Sequence, residues 1–134
     1  DLRNDLLVAG QLPAQLQVAG WQTRAGVYES LAKADVFVLA SLWEGMPLAL
    51  IEAQAAGLPA VVSDVVGNRD VVIDGETGFV CKTDAELLEK TRLLIEDADL
   101  RQRMGQAARE MAAIRFSVAR MHREMMAVYN GSKL

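Results

Sequence analysis

The chain has 134 residues, room for one domain with its own core. It is 51% hydrophobic but only 5% aromatic, which suits an Ala/Val/Leu-packed α/β core and excludes a disordered or coiled-coil chain. A net charge of −4 argues against a nucleic-acid or anionic-membrane surface, the single cysteine forbids an internal disulfide, and no apolar run approaches the ~18 residues of a membrane span.

Over residues 1–9, Leu2, Leu6 and Ala9 share one helical face and Gly10 suits a cap, so a helix is expected there rather than a strand. Arg24 to Lys33 reads as a helix with Val27, Tyr28 and Leu31 as its apolar stripe and Thr23 as N-cap. Ala34-Asp35-Val36-Phe37-Val38-Leu39 reads as a buried strand. A loop holding Ser41, Glu44 and Gly45 follows, then a helix with Pro47 at its first position and Gly57 as its left-handed cap. Ala60-Val61-Val62-Ser63 is a second apolar strand. Asn68 to Ile73 is open to two readings, because its β-branched residues favour strand while the setting allows a short helix. Asp74-Gly75 starts a turn, and Gly78-Phe79-Val80-Cys81 is a short strand with Cys81 as a small buried hydrophobe.

From Asp84 the chain is expected to be helical almost to its end. Asp84 caps a helix through about Asp97, with Leu87, Leu88, Leu94 and Ile95 facing inward. Asp99 starts another through Met104, Ala107, Ala108 and Met111. Ser117 caps a last one, whose Met121, Met125, Val128 and Tyr129 read as core or interface packing. His122, the only histidine, reads as a solvated residue of that helix.

The segment from strand 35–39 to strand 60–63 is a parallel unit with a helix N-terminus at its centre, a ready anion site. Glu44 precedes that helix start and Glu52 lies about 7–8 Å along it, at about 1.5 Å per residue. Two carboxylates bracketing a donor-rich helix end suit a ligand with hydroxyls at both ends and phosphate between, as in a nucleotide sugar. Acidic residues are also common in first turns simply because they complement the macrodipole, so spacing alone leaves both readings open.

Glu44-Gly45-Met46-Pro47-Leu48-Ala49-Leu50-Ile51-Glu52-Ala53 resembles the E-x7-E signature of the group 1 retaining glycosyltransferases, which have the two-domain GT-B fold. Residues 34–39 resemble the family's "aDvfvl" strand, and Gly57-Leu58-Pro59-Ala60-Val61-Val62 its "G-x-P-V-V" strand. Val66-Gly67-Asn68-Arg69-Asp70 resembles the "gG-x-x-E" loop, with Val66 and Asp70 departing from its first Gly and its Glu. Asp74 to Val80 resembles the "dg-x-x-G-l-l-v" turn. The resemblance implies that residues 68–73 are helical and that Leu16-Gln17-Val18-Ala19 is a short strand closed by Gly20-Trp21. The expected fold class is then α/β, a doubly wound, Rossmann-like parallel sheet of about four strands flanked by helices, with ligands at the carboxyl ends of the strands.

By the same resemblance, Glu44 contacts the hydroxyls of the transferred sugar and Glu52 those of the ribose. The backbone N–H groups of Gly45, Met46 and Leu48 lie over sugar and diphosphate. Gly20 and Trp21 face the base, and Ser41 is a further phosphate candidate. The implied reaction is sugar transfer from a nucleotide diphosphate-sugar with retained anomeric configuration, in surface polysaccharide synthesis, with no cofactor and no metal. The chain begins at Asp1, not Met, as an excised piece would. The resemblance implies a partial C-terminal donor-binding domain, without the acceptor domain, the first two strands or the loop whose Arg and Lys neutralise the diphosphate. Such a piece should be inactive alone. Strand 35–39 would keep an open edge, through which the chain is expected to rearrange or self-associate. The expected location is the cytoplasm, with membrane association through the part outside this sequence. A non-catalytic association module and a GT-B nucleotide-sugar epimerase are the competing readings.

Overall fold

The computed structural model describes residues 16–131, which divide into two compact units between Ala32 and Lys33. The described part of the first unit is an irregular stretch over 16–23 followed by α1 (Arg24–Lys33), whose last residue belongs to the second unit. Thr23 caps α1 as expected, its Oγ1 accepting the Gly26 N–H at 3.2 Å. The strand expected over 16–19 is not formed: these residues join no ladder, and Leu16 is 53% exposed. Two apolar residues separated by Gln17 offer too little area to offset the entropy of ordering the segment. The helix expected over 1–9 lies outside the described residues.

The second unit runs β1 (Phe37–Leu39), α2 (Leu48–Ala55), β2 (Ala60–Ser63), α3 (Val66–Val71), β3 (Gly78–Cys81), α4 (Asp84–Glu96), α5 (Ala98–Arg115) and α6 (Val118–Tyr129). Its sheet is parallel, ordered β1-β2-β3, with Phe37 opposite Ala60 and Ala60 opposite Gly78. Three strands are therefore present among the described residues where about four were expected. β2 is covered on both faces, which is why it reads as a continuous apolar run. Ala60 and Val62 pack with Leu50, Val71 and Val72 from α2 and the α3 region. Val61, on the other face, packs with Cys81, Leu87, Leu94 and Met104 from β3, α4 and α5. Each large aliphatic fully buried here contributes about 1.5–3 kcal/mol. Between β2 and β3 the backbones come so close at Gly78 that a β-carbon there would run into the Ala60 carbonyl.

Several helix boundaries differ from expectation by one or two residues. Pro47 is the N-cap of α2 rather than its first residue. Thr83, not Asp84, caps α4 by accepting the Glu86 N–H, and the Glu86 carboxylate takes the Lys82 N–H in return. Asp97, not Asp99, caps α5 by accepting the Leu100 N–H. For Thr83 and Asp97 the side-chain oxygen sits three residues before the amide it must reach, the spacing a cap requires. Residues 68–73 are partly helical, α3 starting two residues earlier than expected.

Leu87 and Leu94 are buried as expected, but Leu88 and Ile95 are 64% and 63% exposed. A step of one residue turns a side chain about 100° around the helix, so only the stripe seven residues apart meets the sheet. α6 has no buried residue, and Met121 and Met125 do not enter a core among the described residues. No helix among the described residues is long and apolar enough to cross a membrane.

Candidate functional site

Because β1 and β2 are parallel, their carboxyl ends, Leu39 and Ser63, open on the same rim. The loop leaving β1 there is tied down by polar bonds. The Ser41 hydroxyl donates to Glu44 Oε1 at 2.6 Å. The Gly67 N–H donates to the Glu44 carbonyl at 3.1 Å, and the Ser63 hydroxyl donates to the Ser41 carbonyl. Glu44 is partly buried and takes part in no ion pair among the described residues.

α2 opens from this loop. Its first internal bonds run from the Leu50 and Ile51 N–H groups to the Pro47 carbonyl, and no side chain caps it. The N–H groups of its first turn are thus left without a side-chain acceptor, the condition for an anion site. The far end is closed. Gly57 takes the left-handed conformation (φ +89°) expected of it, its N–H bonds the Gln54 carbonyl and the Leu58 N–H bonds the Ala53 carbonyl. Leu50, Ala53 and Gln54 are buried, and the Gln54 amide donates to Thr77 Oγ1 at 3.1 Å, fixing the helix against the turn before β3.

Glu52 sits one turn beyond Leu48 on the same helix face, which is not the buried one. It is partly buried and forms no ion pair among the described residues. Gly45 is exposed, with the Trp43 ring over it. Met46 and Leu48 expose their side chains and line a cleft of about 550 Å³ beside the helix start, together with Ile51 and with Arg115, Arg120 and Met121 near the α5–α6 elbow. Ser41, Glu44, Gly45, Met46, Leu48 and Glu52 therefore belong to one loop–helix unit. Gly20 and Trp21 lie in the first unit; Gly20 has a positive φ of 66° and Trp21 is fully exposed.

The sequence profile of the Glycosyl transferases group 1 family matches residues 5–111. The chain belongs to the group 1 glycosyl transferases. It is 45% identical over 84 residues to the Escherichia coli UDP-Gal:alpha-D-GlcNAc-diphosphoundecaprenol alpha-1,3-galactosyltransferase, covering 60% of this chain and 21% of that protein. It is 37% identical over 98 residues to the Staphylococcus aureus capsular polysaccharide biosynthesis glycosyltransferase CapM, covering 72% of this chain and 26% of that one. The chain thus spans about a fifth to a quarter of the length of these relatives. Among solved structures, Anabaena HepE in complex with UDP-glucose matches with a TM-score of 0.80 at 21% identity, over 97% of this chain and 36% of the other. The fold is that of GT-B enzymes.

Two residues that hold the candidate site's loop were not singled out by sequence: Ser63 and Asn68. Asn68 is fully buried at the start of α3, and its amide donates to the Ser63 carbonyl at 3.0 Å and hydroxyl at 3.3 Å. Its Oδ1 is buried with no partner among the described residues, at a typical cost of about 1–3 kcal/mol. No local signal marked it, because Asn68 is followed directly by the charged Arg69 and Asp70 and reads as one more surface polar residue. Cys81 is buried, and burial raises its thiol pKa, with Glu86 and Asp74 adding to the effect. His122 is exposed on α6, as expected.

Proposed function

We propose that these residues are the donor-binding part of a retaining glycosyltransferase, which moves a sugar from a nucleotide diphosphate-sugar to an acceptor in surface polysaccharide synthesis. The observation that carries this reading is the uncapped start of α2, with Glu44 in the loop before it and Glu52 one turn beyond it, neither engaged in an ion pair. Glu44 binds the hydroxyls of the transferred sugar, its carboxylate steadied by Ser41. Glu52 binds the ribose hydroxyls. Hydrogen bonds to a charged group contribute about 1.5–3 kcal/mol each, enough to orient both ends of the donor. The backbone at Gly45, Met46 and Leu48 lies over sugar and diphosphate, where the helix start stabilises the charge that grows on the leaving group. The leaving phosphate takes the acceptor's proton on the same face, and no side chain of this chain is assigned as base.

The UDP-glucose complex of a structural neighbour and the names of the bacterial relatives support this reading. The acceptor domain belongs to a longer protein, the chain alone does not turn over, and the open edge of β1 associates with a second copy. That protein works in the cytoplasm, at the membrane through its remaining part. Calorimetry of the chain with UDP, GDP and ADP tests the donor reading. Saturable binding of one of the three is expected; binding of none would favour a non-catalytic association module.

A further inference from the structure

We propose that Asn68 is a positioning residue for Glu44, acting through Ser63 and Ser41. The inference rests on the donor reading for its purpose and on hydrogen-bond geometry for its substance.

The bonds run in one direction. The Asn68 amide donates to the Ser63 carbonyl at 3.0 Å and to the Ser63 hydroxyl at 3.3 Å. A hydroxyl that accepts from Asn68 must aim its own proton elsewhere, and of its two acceptors the Ser41 carbonyl is much the nearer, the Leu39 carbonyl lying at 3.5 Å. Ser41 in turn donates its hydroxyl to Glu44 Oε1 at 2.6 Å. A donor with no acid–base chemistry of its own therefore sets the rotor of one serine and, through the loop backbone, the place of the next. A second tie runs beside the first, from the Gly67 N–H to the Glu44 carbonyl. Two adjacent residues of α3 thus hold both ends of the Ser41–Glu44 segment.

Packing does not account for an asparagine at this place. Asn68 is fully buried and its Oδ1 has no partner among the described residues, so a leucine, which has the same branching, would leave no orphaned acceptor there. What the leucine could not do is donate to Ser63. The α3 helix that carries Asn68 is itself fixed at its other end, where the Arg115 guanidinium donates to the Asp70 carbonyl at 2.7 Å.

The test is amide hydrogen exchange at Gly67 in the 134-residue chain and its N68A, S63A and S63T variants. Losing one tether should speed Gly67 exchange by about threefold to tenfold in N68A and S63A. Exchange at Leu94 in the core should hold, and S63T should restore the Gly67 rate. UDP-glucose binding should weaken in N68A and S63A and recover in S63T. An unchanged Gly67 rate in S63A overturns the proposal, as does acceleration at Gly67 and Leu94 together or failure of the threonine to rescue. Should N68A not fold, the serine pair decides alone. A wild-type chain that binds no UDP-glucose overturns the donor reading, while the exchange pattern still decides the tether.

Discussion

Gly67 lies directly against the carbonyl of Glu44: its N–H donates there at 3.1 Å, and a β-carbon at this position would stand 2.6 Å from the Glu44 and Gly45 carbonyl oxygens alike. The start of α3 and the loop after β1 fit together only because residue 67 has no side chain. Gly67→Ala should therefore lower the unfolding free energy by about 1–3 kcal/mol in a urea titration, the usual cost of forcing atoms into a packed contact. An unchanged midpoint would mean that the loop yields freely.

Glu44 and Glu52 should separate by ligand. Replacing a carboxylate by an amide keeps the shape and removes the charge assistance, worth about tenfold in affinity. In calorimetry, Glu52→Gln should weaken UDP and UDP-sugar alike, whereas Glu44→Gln should weaken the UDP-sugar and leave UDP nearly unchanged. Circular dichroism of both variants should match the parent. Equal effects on both ligands would contradict the assignment of sugar to one acid and ribose to the other.

The rear of α2 is held by a second close approach. Gly105 of α5 packs on the Gly57 carbonyl so tightly that a β-carbon there would run into it. Gly105→Ala should cost about 1–3 kcal/mol of stability by the same overpacking argument. Gly57→Ala should cost about 1–2 kcal/mol through the left-handed backbone alone. Thermal melts of the two variants and their double mutant would show whether the costs add; contact between the residues predicts that they do not.

Cys81 should behave as a core residue. Its folded pKa lies above its unfolded value, so the proton is held more tightly in the native state. This contribution is present below the unfolded thiol pKa and is lost as pH rises through the folded one. Iodoacetamide should modify the thiol readily in urea and hardly at all in native buffer, read by intact mass. Rapid native labelling would place the thiol at the surface.

The loop–helix–strand unit was legible because its punctuation is local. Pro47, Gly57 and the Leu58-Pro59 pair mark a start, a stop and an exit whatever lies around them. Expectations failed where the outcome depends on neighbours. Leu16 to Ala19 carries strand-like residues but joins no ladder, and Leu88 and Ile95 lie just off the stripe that meets the sheet. The tether from Asn68 through Ser63 to Ser41 joins residues up to 27 positions apart, since 68 − 41 = 27, and no periodicity records it. The two acids were visible in the sequence; what holds one of them was not.

The contact between Gly78 and the Ala60 carbonyl bears on how the chain reaches its native state. Parallel strands meet late in folding because a long crossover must close before they touch. Sliding β3 by one position would turn its side chains to the wrong faces, and sliding it by two would bring Val80 or Glu76 to a place where only a hydrogen atom fits. Pairing that keeps the faces but loses the register is blocked by collision and not merely disfavoured, so even a slow encounter between these two strands has a single outcome.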